Sequence, residues 1–192
     1  MCLSKQSEKM KILIIGDSMI KYLQEYLSAN LPDYEVDFRC FPGARIERLT
    51  REIAFMNNHF HLVLVHVGTN NSNDDLDEIH RKYGCLYKGI ERLNPKVILF
   101  SGVLPRCPDL YRDCNTYHLQ ELNRKILNIN SRFLATYEGK DGFFFCSSFD
   151  YSWSTCLSRD GLHLNRRGNQ QLGKIFVKDI RISLTVAELH GS

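Results

Sequence analysis

Short, nearly unbroken apolar runs alternate along the chain with longer stretches whose apolar residues recur every three or four positions. The first kind suits strands buried on both faces; the second suits helices with one apolar flank. Lys11 to Ile15 predicts a first strand, and Met19 to Ala29 a helix with Ile20, Leu23 and Leu27 facing inward. Tyr34 to Arg39 alternates Val36 and Phe38 with charged residues, which predicts a second strand nearer an edge. Arg45 to Met56 predicts a helix with Ile46, Leu49, Ile53 and Met56 on one face, and His61 to Val67 a third strand. A polar loop, Asn70 to Asp75, leads into a helix that runs to about Leu93, where Asn94-Pro95 stops it. Lys96 to Ser101 and Phe143 to Cys146 complete the strands. The helix between them, Asn115 to Thr136, has Leu119, Leu122, Ile126 and Ile129 as its apolar face. The last helix starts near Asn165, a suitable N-cap, and carries Leu172, Ile175, Phe176 and Ile180.

Five strands separated by helices predict a three-layer α/β/α sandwich with a five-stranded parallel sheet in flavodoxin-like order. The length, 192 residues, fits a single domain over 1–192 with its core at about 11–185. In open parallel sheets, ligands bind beyond the carboxyl ends of the strands. The turns after Ile15, Arg39, Val67 and Cys146 are therefore where chemistry is expected.

Each of those turns, or the loop it opens, holds a residue type suited to catalysis. Gly16-Asp17-Ser18 follows the first strand and places a serine hydroxyl among the backbone N–H groups of a helix start, which favour developing negative charge. Asp and Ser are equally common helix caps, so the tripeptide alone decides nothing. Phe41-Pro42-Gly43-Ala44 follows the second strand; its glycine permits close backbone approach to a substrate, or makes an ordinary turn. In Gly68-Thr69-Asn70-Asn71, the Asn70 amide suits an oxyanion donor or a turn. Asp160-Gly161-Leu162-His163-Leu164-Asn165 precedes the last helix, and an aspartate three residues before a histidine can orient the imidazole or merely satisfy local backbone.

Together and in this order, the blocks resemble the SGNH hydrolase superfamily, a branch of the GDSL-type esterases, from Ile12 to about Gly173. The four named residues match Ser18, Gly43, Asn70 and His163. The resemblance implies Ser18 as nucleophile, His163 as general base, Asp160 as its orienting carboxylate, and an oxyanion hole from Ser18, Gly43 and Asn70. Ile-Gly-Asp-Ser, Phe-Pro-Gly-Ala-Arg, Val-Gly-Thr-Asn, Ser-Gly-Val-Leu-Pro-Arg and Asp-Gly-Leu-His-Leu-Asn are together similar to the esterase domains of first-reading-frame proteins in LINE retrotransposons. The implied activity is hydrolysis of carboxylic esters, acyl or acetyl, lipid included, with no cofactor and no metal. The alternative is an SGNH-fold binding module, weak in catalysis, in a retrotransposon RNA–protein complex.

Composition narrows the field further. Lys and Arg number 25 against 22 Asp and Glu, a net charge of +3, with no concentrated basic stripe of the kind nucleic-acid binding needs. Arg45, Arg48 and Arg51, and later Arg159, Arg166 and Arg167, read as solvated helix faces before phosphate sites. A small-molecule or lipid ester is the expected partner; nucleic acid is expected only through flanking domains of a parent protein, and membrane-surface contact and oligomeric state stay open. Neither a Walker P-loop nor a Rossmann glycine fingerprint is present. His59 and His61 offer two imidazoles without further ligands, so no metal site is expected there. Seven irregularly spaced cysteines include no C-x-x-C pair; free thiols are the simplest account, with Cys107–Cys114 pairing only in a secreted protein. With no signal-peptide core at the start, the expected compartment is the cytoplasm. His66 and Arg106 lie near strand ends and suit either pocket lining or internal pairing, as Tyr151 and Trp153 suit either an acyl-pocket wall or packing.

Overall fold

The structure is a computed structural model that describes residues 9–112, 115–147 and 152–190. Its strands are β1 (Met10–Gly16), β2 (Tyr34–Cys40), β3 (Leu62–His66), β4 (Val97–Ser101) and β5 (Phe143–Cys146). They form one parallel sheet in the order β2-β1-β3-β4-β5, the flavodoxin-like order, with β2 on an edge as its alternating pattern predicts. The helices are α1 (Gln24–Asn30), α2 (Ile46–Ala54), α3 (Leu76–Glu91), α4 (Thr116–Tyr137) and α5 (Arg166–His190).

Alternate residues of each central strand enter opposite cores. Leu13, Ile15, Val63, Val65, Ile98 and Phe100 pack against α2, α3 and α4. Ile12, Ile14, Leu62, Leu64, Val97 and Leu99 pack against α1 and α5. Both faces are covered, which is why these strands are continuously apolar.

Two segments depart from the expected outline. The helix expected over Met19 to Ala29 is broken into a 3-10 turn, Ser18–Ile20, and the shorter α1. Ile20, Lys21 and Leu23 donate to carbonyls three residues back, and this tighter winding turns the chain before α1 begins. Ile20, Leu23 and Leu27 are nevertheless fully buried. In α4 the buried residues begin at Ile126, while Leu119 and Leu122 are only partly covered. The 22 residues of α4 span roughly 33 Å, against about 17 Å for five-residue β4, so the helix overhangs the sheet.

The register aligns the strand ends. Gly16 pairs with Cys40 and His66, His66 with Ser101, and Ser101 with Cys146. The segments that follow therefore leave from one edge, and the chain's reversal of direction across the sheet falls between β1 and β3. Cys40, Cys85, Cys107, Cys146 and Cys156 are free thiols. Cys2, Cys114 and Tyr151 lie outside the described residues.

Candidate active site

Ser18 stands at the start of the 3-10 turn that follows β1. Asp17 caps this turn, its Oδ1 accepting the Met19 N–H at 2.9 Å. From the far end of the chain, Asp160 and His163 arrive on one short loop. Asp160 Oδ1 accepts the N–H groups of Leu162 and His163 at 2.9 and 3.0 Å, which folds the loop on itself. Asp160 Oδ2 is then free to meet His163 Nδ1 at 2.8 Å. On the other side of the ring, His163 Nε2 lies 3.4 Å from Ser18 Oγ. That is a long hydrogen bond, of a length common in catalytic pairs without substrate. Burial would raise the Asp160 carboxyl, but the His163 ring and the two N–H groups outweigh it and hold the group below the ordinary aspartate range.

The histidine loop is pinned from several sides. Leu157 and Leu164 form an antiparallel bridge, Ser158 N–H donates to the His163 carbonyl at 2.7 Å, and Cys107 N–H donates to the Gly161 carbonyl at 2.9 Å. Gly161 has φ +65°, and a Cβ there would lie 2.1 Å from the Cys107 carbonyl oxygen, so only glycine fits. Asn165 Oδ1 accepts the Gly168 N–H at 3.0 Å and caps the start of α5, as its sequence position predicts.

Gly43 and Asn70 sit on the turns after β2 and β3, and the structure joins those turns. Asn70 Nδ2 donates to the Ala44 carbonyl at 2.9 Å, leaving its second N–H for another acceptor. Next to it, buried Asn71 accepts from the Ile46 N–H at 2.9 Å and donates to Glu47 and Asp74 at 3.1 and 2.9 Å. Lys82 meets Glu47, Asp74 and Glu78 at 2.5, 2.8 and 2.8 Å, and Lys125 donates to the Asp74 carbonyl. Asp74, Glu47 and Glu78 together raise the Lys82 ammonium above the ordinary lysine range. Glu47, Asp74 and Glu78 are also close enough to hold a metal ion, but the Lys82 ammonium already lies among their oxygens.

Three further groups lie near the site: Asp17, Arg106 and His66. Asp17 has no solvent exposure, its Oδ2 has no hydrogen-bond partner among the described residues, and burial pushes its carboxyl up to about 6. The half-buried Arg106 guanidinium donates to the Thr69 carbonyl at 3.1 Å rather than to a carboxylate. Burial pulls its pKa down, with Asp17 and Asp160 acting against that pull. His66 lies in the core, not on a pocket wall: its Nδ1 meets Ser101 Oγ at 2.8 Å, its Nε2 is unpartnered among the described residues, and burial pulls it down to about 4. Trp153 is likewise buried in the core, among residues that include Leu164 and Leu172. His59 and His61 stack edge to face, and the His61 ring accepts the Lys11 N–H at the opposite end of β1.

Serine, imidazole and carboxylate in line at the edge of a flavodoxin-like sheet, with backbone and amide donors on neighbouring turns, are the equipment of an acyl-transfer hydrolase. The family follows from comparison: the GDSL-like lipase/acylhydrolase family model matches residues 15–171, and the chain belongs to that family. No curated protein matches the chain significantly. Among solved structures, a GDSL-like lipase from Bacteroides thetaiotaomicron is similar, with TM-score 0.71 and 14% identity over 90% of this chain and 88% of that one. A lipase/acylhydrolase from Enterococcus faecalis gives TM-score 0.64 and 16% identity, covering 89% and 95%. The C-terminal catalytic domain of peptidoglycan O-acetyltransferase A from Streptococcus pneumoniae gives 0.65 and 12%, covering 94% and 95%. At these identities the structural likeness is one of fold, and hydrolase chemistry in its general form rests on the family. Among the described residues, no helix is long and apolar enough to cross a membrane.

Proposed function

We propose that the chain is a serine esterase that cleaves carboxylic esters through an acyl-enzyme on Ser18. The observation that carries this reading is the contact chain Ser18 Oγ, His163 Nε2, His163 Nδ1, Asp160 Oδ2, with steps of 3.4 and 2.8 Å. His163 takes the Ser18 proton as Oγ attacks the ester carbonyl, and Asp160 holds the proton-bearing Nδ1 and stabilises the imidazolium. The carbonyl oxygen gains negative charge as the tetrahedral intermediate forms, and the N–H groups of Ser18 and Gly43 and the Asn70 amide receive it. His163 then gives its proton to the departing alkoxide. Water, deprotonated by the same imidazole, attacks the acyl-enzyme and releases the carboxylic acid, restoring Ser18.

No step calls for a metal or an organic cofactor. The five sequence blocks similar to LINE-type esterase domains support placing the chain in that branch of the family.

The test is hydrolysis of p-nitrophenyl esters from acetate to octanoate by the parent protein, Ser18→Ala and His163→Ala. Loss of either residue is expected to lower kcat by about 10⁶. A fluorophosphonate should label the parent once, at Ser18, and leave Ser18→Ala unmodified. Undiminished hydrolysis by a folded Ser18→Ala protein rules the mechanism out.

A further inference from the structure

Beyond Gly43 the surface opens into a groove of about 590 Å³. Its walls are the segment Cys40 to Arg45, which links β2 to α2, and the flank of α2 that carries Glu47, Arg48 and Arg51. Gly43 lines this groove and is also a donor of the proposed oxyanion hole, so the groove and the candidate site share this residue. The site of a Gly43 Cβ is empty to 4 Å, which leaves bare backbone at the junction.

The charge of the groove is lopsided. Arg45, Arg48 and Arg51 follow one another at three-residue intervals, close enough for neighbouring side chains to act on one ligand. The only carboxylate in the wall among the described residues, Glu47, is already held by Lys82 at 2.5 Å and Asn71 at 3.1 Å. Arg45 is spent on Asp74, at 2.5 Å. Arg48 binds Glu52 through Nε at 2.7 Å, and its guanidinium carbon lies 5.4 Å from the centre of the Phe41 ring, which together fix its orientation. Arg51 makes no ion pair among the described residues. The free charge of the groove is therefore that of Arg51, with the remaining N–H groups of the Arg48 guanidinium beside it. The three-residue arginine spacing, read from sequence as a solvated face, thus lines a concave wall next to the candidate site.

We propose that this groove binds an anionic group on the ester substrate, a phosphate or a carboxylate, through Arg48 and Arg51, with Phe41 beneath it and Gly43 leading to Ser18. The proposal rests on the serine-esterase reading, and it names the class of ester that the site prefers. Guanidinium groups donate in pairs to either anion, so both sources share one chemistry.

Two measurements separate this proposal from the reading beneath it. The first compares kcat/KM for p-nitrophenyl butyrate, p-nitrophenyl hemisuccinate and an acetyl ester of glycerol phosphate. The proteins are the parent, Arg48→Gln, Arg51→Gln and, as a control with the same change in charge, exposed Arg124→Gln. The ratio of anionic to neutral ester is expected to fall about 10-fold or more with each groove variant, chiefly through KM, and to hold in the control. A larger fall for hemisuccinate assigns the carboxylate, and a larger fall for the phosphate ester assigns the phosphate. The second titrates inorganic phosphate and succinate into Ser18→Ala, alone and combined with Arg48→Gln and Arg51→Gln, by NMR. Shifts at Phe41 to Arg51 that vanish with the arginines support the groove even if Ser18 proves not to be the nucleophile. An unchanged ratio in the groove variants, or no arginine-dependent shift, overturns the proposal.

Discussion

Asp17→Asn keeps the volume of the side chain and the oxygen that accepts the Met19 N–H, and removes a charge from a site with no solvent exposure. Burial raises the Asp17 carboxyl from 3.8 to about 6 in the folded chain. Between those values the folded state keeps a proton that the unfolded state has released. Stability therefore falls as pH rises through this window, and above it the cost of the buried charge is constant. Two pKa units correspond to about 3 kcal/mol, an upper bound for a single burial site. The amide adds an N–H pair where Oδ2 now lacks a partner, a penalty of roughly 1–3 kcal/mol that does not change with pH. His66, held down to about 4 by burial, acts in the opposite sense: its stabilisation grows with pH between about 4 and 6.5. It is present in both proteins and cancels in their difference. Urea denaturation of parent and variant at unit steps from pH 4 to 8 should show the stability difference moving in the variant's favour by up to about 3 kcal/mol, nearly all of it below pH 7. A difference that stays flat with pH would refute the reasoning, because it would mean that Asp17 is not charged at the cost its burial implies.

Other substitutions probe the geometry. Asn70→Ala should lower kcat by roughly 10²–10³ with little change in KM in steady-state assays with a neutral ester, the loss of one oxyanion donor. Gly161→Ala forces a Cβ against the Cys107 carbonyl at φ +65° and should displace Asp160 and His163; kcat is expected to fall far more than the melting temperature. Gly68→Ala places a Cβ 2.1 Å from the Tyr83 hydroxyl at φ +124° and should cost about 1–3 kcal/mol or more, read as a lowered thermal midpoint. Tyr83 donates to the Val67 carbonyl at 2.6 Å, so this change also disturbs the end of β3.

β1, β3 and β4 were legible because burial on both faces leaves little room for polar residues, and β2 because an edge strand alternates apolar and charged positions; all five predicted strands map onto β1 to β5 within a residue or two. The meeting of Ser18, Asp160 and His163 in space was legible because each is carried by a short local block whose place beyond the strand ends follows from the topology. The break between Ile20 and Gln24 was not legible: Ile20, Leu23 and Leu27 keep the same spacing whether the backbone winds tightly or not. Asp17 hides for a different reason, since a buried half-satisfied carboxylate and an ordinary cap share the same Gly-Asp-Ser string. Lys82 and its three carboxylates come from α2, α3 and the loop before it, and only the tertiary fold gathers them.

The proposed nucleophile, Ser18, and its proposed base, His163, lie 145 residues apart in sequence, and His163 arrives immediately before α5. A nascent chain carries Ser18 out of the ribosome long before it carries His163, and until the last strand and helix dock it has a hydroxyl with nothing to ionise it. On the proposed mechanism, a molecule cut anywhere in the α4 region is expected to be silent until its halves find each other, which would make ester cleavage a direct readout of fragment reassembly.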